Sequence, residues 1–469
     1  MENFGCRATQ ADGAAIEQQF RERGLDRANR PANAKIVVLN TCAVTASAEQ
    51  EARAAIRRVR RENPECEVIV TGCYAQRAPG EVAALTGVAL VVGNSHKHNL
   101  AEIALGVKSA KGILDPDTFI PVGNLSGANS RLAERTAPDE SDFANIFVSD
   151  IFAHTELLAA PVFDSANERT RPNLKVQDGC NNRCSFCIIP SVRGRSRSLN
   201  LRAVIEEINQ LVASGYREVV ISGINLGRWG RDLAGKGSGL EDLVETILVE
   251  TSLEKLRISS VEPMDWTDSF IRLMAGSPRI AKHAHVPMQS GSDAVLRRMH
   301  RKYRPWHYRE KIEKIRAALP GAAIGTDVMV GFPGESAAEF EETRRMIEEL
   351  PLTYLHVFTF SARPGTPAAV LPDQVPVNVA RKRNRILREL GEEKKLAFMR
   401  SFVGRSVEAI TLKVISEESD GSWTEALTDN YLKMKVRGRY ESNQWVRAQV
   451  VDVADGLMVG ARCDSTKRC

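Results

Sequence analysis

Three cysteines share the short segment QDGCNNRCSFCIIP, in a C-x3-C-x2-C arrangement: Cys180, Cys184 and Cys187. Thiolates at this spacing can each bind one iron of a [4Fe–4S] cube. No further cysteine occurs until Cys463, so the pattern predicts that one iron has no protein ligand and can bind a substrate. A structural zinc site is the alternative. It usually needs four ligands, and neither a second pair nor a nearby histidine completes one here.

Three other cysteines, Cys6, Cys42 and Cys73, are far apart in the sequence. Cys42 comes shortly after the apolar run KIVVLN, and Cys73 directly follows EVIVTG. Cys6 precedes a helical stretch, at the position where an earlier strand would end. Only five residues precede it, so that strand is expected to be stunted or the start codon to be misplaced. The carboxyl ends of parallel strands meet at one edge, so the three thiols are predicted to meet; three separate buried thiols are the alternative.

The remaining cysteines are expected to play no part in this chemistry. Cys66 stands before a strand and is predicted to be structural, and Cys463 and Cys469 lie in a tail predicted to be frayed. The total of nine cysteines is odd and no export signal precedes them, which argues against a disulfide framework. No apolar run is long enough to cross a membrane. The sequence therefore predicts a cytoplasmic protein that uses its cysteines for metal or redox chemistry.

The elements that would position these cysteines follow from the alternation of apolar runs and helical segments. We predict an α/β protein with a parallel α/β domain over residues 1–122, an irregular linker over 123–171, a six-unit (β/α)6 partial barrel over 172–400 and a small five-stranded antiparallel barrel over 401–463. The predicted strands of the partial barrel are Asn173 to Gln177, Glu218 to Gly223, Lys255 to Ser260, Lys282 to Met288, Ala323 to Gly331 and Thr353 to Phe360. The sequence GFPGE after the fifth strand lacks the ending of a phosphate loop and is predicted to be a strand-to-helix turn.

Basic residues are clustered although the net charge is only +5. The clusters are Arg57, Arg58, Arg60 and Arg61; Arg193, Arg195 and Arg197; Arg297, Arg298, Arg301, Lys302 and Arg304; Arg381 to Arg385; and Lys433, Lys435, Arg437 and Arg439. Each cluster alone indicates a solvated face, whereas several together favour an RNA partner.

In their order along the chain, several motifs resemble those of the radical S-adenosylmethionine methylthiotransferase family. They are GCRATQADG, NTCAVT, TGCYAQ, the C-x3-C-x2-C loop, SGINLGRWG, SSVEP, HVPMQSGSDAVLRRMHRKY, GTDVMVGFPGE and FTFSARPGTPA. The resemblance implies two [4Fe–4S] clusters, a radical-generating one on Cys180, Cys184 and Cys187 and an auxiliary one on Cys6, Cys42 and Cys73. It also implies that one S-adenosylmethionine donates a methyl group and that a second yields the 5′-deoxyadenosyl radical. The last barrel resembles the RNA-binding TRAM domain.

Contacts to S-adenosylmethionine are expected at the strand ends of the partial barrel. The candidates are Phe186, Ser222, Glu262, Gln289, Asp327 and Phe360. The two phenylalanines would lie near the adenine. A capping or turn role is the alternative for the polar residues, and Phe186 could simply cover an apolar cluster.

The motif NTCAVT most resembles the branch that methylthiolates C2 of N6-threonylcarbamoyladenosine at position 37 of tRNA. The branches acting on isopentenyladenosine in tRNA and on an aspartate of a ribosomal protein are alternatives, and an RNA-binding iron–sulfur electron carrier is an alternative of another class. The expected partners are tRNA and a flavodoxin- or ferredoxin-like electron donor, with neither membrane nor DNA.

Overall fold

The computed structural model describes residues 1–106, 144–154, 157, 170–233, 239–418 and 421–462. Its described residues form two compact units. Those of unit 1 fall within Met1–Val162, Asp178–Arg197 and Ser361–Ala369, and those of unit 2 within Phe163–Gln177, Ser198–Phe360 and Val370–Cys469. Among the described helices, none has both the length and the apolar character needed to cross a lipid bilayer.

The two units do not follow the order of the predicted domains, because two later segments join the N-terminal residues in unit 1. The domain boundaries drawn from the sequence stay a prediction. Most of the predicted linker over 123–171 lies outside the described residues, as do Cys463 and Cys469.

A five-stranded parallel sheet forms the N-terminal part of unit 1, with its strands in chain order. Its elements are β1 (Glu2–Asn3), α1 (Arg7–Glu22), β2 (Ile36–Thr41), α2 (Ala46–Glu62), β3 (Glu67–Gly72), α3 (Cys73–Arg77), α4 (Pro79–Ala83), β4 (Val88–Gly93), α5 (Leu100–Ala104) and β5 (Asn145–Phe147). Val38, Ile69 and Val92 of the strands pack in one buried cluster with Ile16 of α1. Covering the sheet with helices buries the apolar strands that the sequence pattern predicts.

The partial barrel is built from two sheets rather than one closed ring. Its elements are β6 (Asn173–Asp178), α6 (Ile189–Arg193), β7 (Arg197–Ser198), α7 (Leu201–Ala213), β8 (Glu218–Gly223), α8 (Leu240–Glu250), β9 (Lys255–Ile258), α9 (Asp268–Gly276), β10 (His283–His285), α10 (Asp293–Arg298), α11 (Pro305–Ala318), β11 (Ala323–Val330), α12 (Ala337–Glu349) and β12 (Tyr354–Thr359). The strand orders are β7-β6-β8-β9 and β10-β11-β12. Between the two sheets, Leu256 of β9 forms a parallel bridge with Ile280, which precedes β10 by three residues. All six strands predicted for this region are confirmed.

A long helix leads to the last module. It is α13 (Val377–Arg400), followed by β13 (Ser406–Glu418), β14 (Gly421–Thr428), β15 (Lys433–Arg437), β16 (Trp445–Ala454) and β17 (Leu457–Arg462). These strands close into a barrel in the order β13-β14-β15-β17-β16. The predicted five-stranded antiparallel barrel is confirmed, except that the pair β15 and β17 is parallel. This pair closes the barrel, because β17 lies between β15 and β16 and pairs with both of them.

Candidate active site

The cysteines Cys6, Cys42 and Cys73 lie at one edge of the N-terminal sheet. Cys42 directly follows β2, and Cys73 directly follows β3. Cys6 comes after the two-residue strand β1 and is the N-cap of α1. Because β1, β2 and β3 are adjacent and parallel, the structure brings together the three strand ends that the sequence predicted.

Burial and mutual repulsion make this edge unfavourable for free thiolates. Burial, together with the neighbouring Cys73 and Cys6, raises the pKa of Cys42 to about 12, although a hydrogen bond from the Val44 N–H group opposes the shift. None of the three is in a disulfide. A bound cationic iron would offset the repulsion between thiolates, so the donor set fits an iron–sulfur cluster.

Two glycines allow the trio to approach so closely. Gly5 has a φ of +98°, and a Cβ atom added there would lie 2.8 Å from the Sγ of Cys42. Gly72, next to Cys73, has a φ of +96°, and its Cβ would lie 2.3 Å from the carbonyl oxygen of Thr41. Any side chain at either position would push the strand ends apart.

The second group of cysteines occupies a tight loop between β6 and α6. The loop is closed by a hydrogen bond from the Cys180 N–H group to the Gly194 carbonyl, 3.1 Å long. Within it, the Cys187 N–H group donates to the Cys184 carbonyl at 3.2 Å. All three thiols are half-buried, and Phe186 beside Cys187 is half-buried too. The loop therefore presents three thiols with fixed backbone positions.

Neither cysteine group is arranged around a single metal ion. Within the described residues, no group of three or more His, Cys, Asp or Glu side chains is placed to hold one. A cubane cluster binds its thiolates through separate irons, which spaces them further apart than ligands of one ion. Both groups consist of cysteine alone, the ligand that such clusters prefer. Three cysteines in each group therefore fit the ligand set of a [4Fe–4S] cluster.

A buried ion network, which the sequence did not reveal, lies beside the cysteine loop. Arg193 donates to Asp178 and to Asp12, at 3.0 Å in each case. Lys97 donates to Asp12 at 2.7 Å. Burial opposes the charge on Arg193, but the neighbouring carboxylates outweigh it and raise its pKa. The prediction that Arg193 belongs to a solvated basic cluster was wrong, because its side chain is only 1% exposed.

Asn94 extends this network to the first group of cysteines. Its Nδ2 donates to the Val192 carbonyl at 2.7 Å and lies 3.5 Å from the Sγ of Cys73. Asn94 follows β4 directly. The end of β4, which is next to β3 in the sheet, therefore supplies a hydrogen-bond donor to Cys73, a candidate cluster ligand. A polar residue after a buried strand was the signal available in the sequence.

Unit 2 carries the candidate contacts to S-adenosylmethionine at its strand ends. Ser222, near the end of β8, has a buried Oγ with no hydrogen-bond partner among the residues described. An orphaned buried hydroxyl is costly unless a ligand satisfies it. Glu262, after β9, forms an ion pair with Arg301. Arg301 itself is buried, which corrects its assignment to a solvated cluster.

Asp327 of β11 is the most perturbed of these candidates. Burial raises its pKa to about 6, while His356 and Arg301 counteract the shift. Its Oδ1 lies 3.4 Å from the Nε2 of His285. The carboxyl group therefore changes its charge close to neutral pH, as residues of functional sites often do.

Gln289 and Phe360 lie beside the same strand. Gln289 has a φ of +63°, and its N–H group donates to the Asp327 carbonyl at 2.8 Å. The ring of Phe360 packs edge-on against Phe332, with centroids 5.5 Å apart. A strained backbone held by strand hydrogen bonds is typical of a ligand-binding position.

The segment GFPGE is a strand-to-helix turn, as predicted. Gly331 has a φ of +74°, and its N–H group donates to Glu335 Oε2 at 2.6 Å. The same carboxylate pairs with Arg383 at 2.6 Å. The Glu335 carboxylate is thus paired with groups of the protein itself.

The predicted basic face of the last barrel lies mainly on β15. Lys433 and Arg437 are exposed, whereas Met434 and Val436 between them are buried. Lys435 is half-buried, with its Nζ 5.4 Å from the centre of the Trp423 ring. Arg439 follows the strand and is exposed. The alternation places the basic side chains on the outer face of the barrel.

Two family models match the chain. The model described as Uncharacterized protein family UPF0004 matches residues 1–93, and that of the Radical SAM superfamily matches residues 174–347. Among solved structures, the radical S-adenosylmethionine methyltransferase TsrM from Kitasatospora setae covers 77% of this chain and 74% of its own, with a TM-score of 0.54 and 15% identity. At that identity the likeness shows the fold alone.

Curated relatives match nearly the whole chain. The threonylcarbamoyladenosine tRNA methylthiotransferase MtaB of Bacillus subtilis is 36% identical over 93% of this chain and 89% of its own length. The enzyme of the same name from Aquifex aeolicus is 34% identical over 96% and 99%. The tRNA-2-methylthio-N(6)-dimethylallyladenosine synthase of Acidothermus cellulolyticus is 32% identical over 97% and 83%.

Proposed function

We propose that this chain, which belongs to the radical S-adenosylmethionine methylthiotransferase family, adds a methylthio group to C2 of N6-threonylcarbamoyladenosine at position 37 of tRNA. The observation that carries the proposal is the match, over nearly full length, to relatives named for that reaction. The synthases named for dimethylallyladenosine also match at 32% identity, so that reaction is the second candidate.

As a radical S-adenosylmethionine enzyme, the protein uses S-adenosylmethionine and an iron–sulfur cluster. We assign the loop cysteines Cys180, Cys184 and Cys187 to that cluster. A second cluster on Cys6, Cys42 and Cys73 is our proposal, supported by the three adjacent strand ends. When bound, these groups supply a carbon-centred radical and a sulfur donor, which an unactivated aromatic C–H bond requires.

The residues of the chain bind and orient these groups. The hydrogen bond between Cys180 and Gly194 fixes one end of the loop, and the ion pair between Asp178 and Arg193 fixes the residues just before it. In unit 2, the hydroxyl of Ser222 and the carboxylate of Asp327 are placed to accept or donate hydrogen bonds to a polar ligand. Rigid positions of this kind exclude side reactions of a radical.

We further propose that tRNA binds to the outer face of β15, whose basic side chains suit phosphates. A flavodoxin- or ferredoxin-like protein would supply electrons, and the reaction would take place in the cytoplasm. These assignments rest on the proposed reaction and on the basic side chains of β15.

Nucleoside mass spectrometry of tRNA from a deletion strain tests the proposal. We expect the methylthio form of threonylcarbamoyladenosine to disappear and the unmodified form to accumulate. Complementation with wild type or with Cys66→Ala should restore it, because Cys66 donates to the Asn63 carbonyl, away from the strand ends. Complementation with Cys184→Ala should not. Loss of a methylthiolated isopentenyladenosine instead would support the second candidate.

A further inference from the structure

A cavity of about 570 Å³ lies within unit 2, between β12, α13 and the last barrel. One wall is aromatic and comes from alternate residues of β12, namely Tyr354, His356 and Phe358. Phe358 is 48% exposed. Tyr431, in the turn between β14 and β15, adds another ring to the lining. Flat rings at a solvent-accessible wall suit a planar ligand.

The charged residues in the rest of the lining are predominantly basic, and five other lining residues are aliphatic. Arg388 and Lys395 are seven residues apart on α13, which places them on one side of the helix. Arg171 and Lys433 also line the cavity, against a single acidic residue, Glu392. Such a lining favours an anion.

The basic residues differ in their partners. Lys395 lies 3.9 Å from Glu392, and Lys433 lies 3.1 Å from Glu425. Arg388 forms neither a hydrogen bond nor an ion pair with any residue that the structure describes. Its guanidinium group is therefore available to a ligand, and its planar donors match a carboxylate.

The cavity is adjacent to a candidate reaction-site residue. His356 of the cavity wall is the register partner of Asp327 on the neighbouring strand, and its charge lowers the pKa of that carboxyl group. His285, which contacts Asp327, packs against His356 with ring centroids 5.5 Å apart. A ligand in the cavity would thus lie one strand away from Asp327.

We propose that this cavity binds the N6-threonylcarbamoyl group of the target adenosine, with Arg388 and Lys395 pairing with its carboxylate. The inference rests on the proposed function and names the part of the substrate that is recognised. A threonylcarbamoyl group carries a carboxylate and a hydroxyl, whereas an isopentenyl group is apolar. The cationic side chains of the cavity can pair with the carboxylate of a threonylcarbamoyl group. An isopentenyl group would leave them without a partner, and this difference is a strong basis for discrimination.

The test measures binding of three anticodon stem-loop RNAs that differ only at the target base: threonylcarbamoyladenosine, adenosine and isopentenyladenosine. We expect the wild-type protein to prefer the first by more than about tenfold, since a charge-assisted contact contributes at least that much. The variant Arg388→Gln/Lys395→Gln should lose this preference while binding the adenosine RNA as wild type does. The variant Arg385→Gln removes one charge from α13 outside the cavity and should keep the preference.

Two results would overturn the inference. An equal loss of affinity for all three RNAs in the double variant would mean that these residues bind backbone phosphate. An unchanged preference would mean that the cavity does not recognise the modified base. Circular dichroism of each variant shows whether it is folded, and Arg388→Gln alone serves if the double variant is not. An activity assay tests the proposed function separately. That function is wrong if wild-type enzyme that contains its clusters does not methylthiolate the threonylcarbamoyladenosine RNA.

Discussion

Nη1 of Arg193 donates to both carboxylate oxygens of Asp178, with each hydrogen bond 3.0 Å long. Both side chains are about 1% exposed. Asp178 precedes the first loop cysteine by two residues, and Arg193 ends the helix that follows the loop. The pair therefore joins the two ends of the cysteine loop inside the protein.

Replacing Arg193 with alanine should be strongly destabilising, because the carboxylates of Asp178 and Asp12 would stay buried without the cation that bridges them. Breaking a buried pair typically costs about 3–5 kcal/mol of unfolding free energy, which urea denaturation measures. Arg309→Ala is the control, since its pair with Glu349 is at the surface and should contribute less than about 1 kcal/mol. Equal losses in the two variants would show that the buried pair has no special role.

Iron analysis tests the two cysteine groups. Two [4Fe–4S] clusters require about eight irons per chain. Alanine at Cys180, Cys184 and Cys187 should leave about four and abolish formation of 5′-deoxyadenosine. Persistent 5′-deoxyadenosine in that variant would show that the radical site lies elsewhere.

Alanine at Cys42 tests the auxiliary group. This variant should lose methylthiolation but keep some cleavage of S-adenosylmethionine, because the loop cysteines are intact. Unimpaired product formation would contradict the assignment. Cys66→Ala is the matched control, as it removes a buried thiol of the same domain and should keep the full iron content.

Neutralising the basic face of the last barrel should weaken tRNA binding whatever the nucleotide sequence. The substitutions are Lys433, Lys435, Arg437 and Arg439 to glutamine. The salt dependence of the association constant should flatten by up to about one unit of slope for each phosphate that the variant no longer neutralises. Arg345→Gln, on the exposed face of α12, should change the slope little. Unchanged affinity and slope in the quadruple variant would mean that this face only keeps the barrel soluble.

Asp327→Asn should change the pH dependence of stability. Burial holds the pKa of Asp327 near 6 in the folded protein, above its value in an unfolded chain. Between the unfolded and folded pKa values of Asp327, the folded state binds more protons than the unfolded state. The free energy of unfolding therefore falls as the pH rises through about 6. The asparagine variant should gain stability relative to wild type at pH 8, and gain less at pH 5. Urea midpoints that differ equally at both pH values would contradict this.

Local patterns were sufficient for the strands and for the positions of the cysteines. EVIVTG is a continuous apolar run with β-branched residues, and Cys73 had to follow the strand that it forms. The strand before Cys6 was expected to be very short and has two residues. Such features depend on residues that are close together in the sequence, so they can be predicted from one sequence alone.

Long-range pairing could not be predicted in the same way. Arg193 and Asp12 are separated by 181 residues, and nothing near Arg193 in the sequence distinguishes it from Arg195, which is exposed. The parallel pairing of β15 with β17 is also non-local. These features are set by packing of distant segments, which single-sequence patterns do not encode.

Unit 1 is interrupted along the chain, and this affects the timing of its assembly. Its last segment, Ser361–Ala369, is separated from the cysteine loop by residues 198–360. Arg363 of that segment pairs with Glu49 at 3.1 Å, and the Ala368 N–H group donates to the Ser185 carbonyl beside Cys184. During synthesis the N-terminal sheet leaves the ribosome long before these partners exist. Complete enclosure of the cysteine loop therefore waits until residues 361–369 have been synthesised.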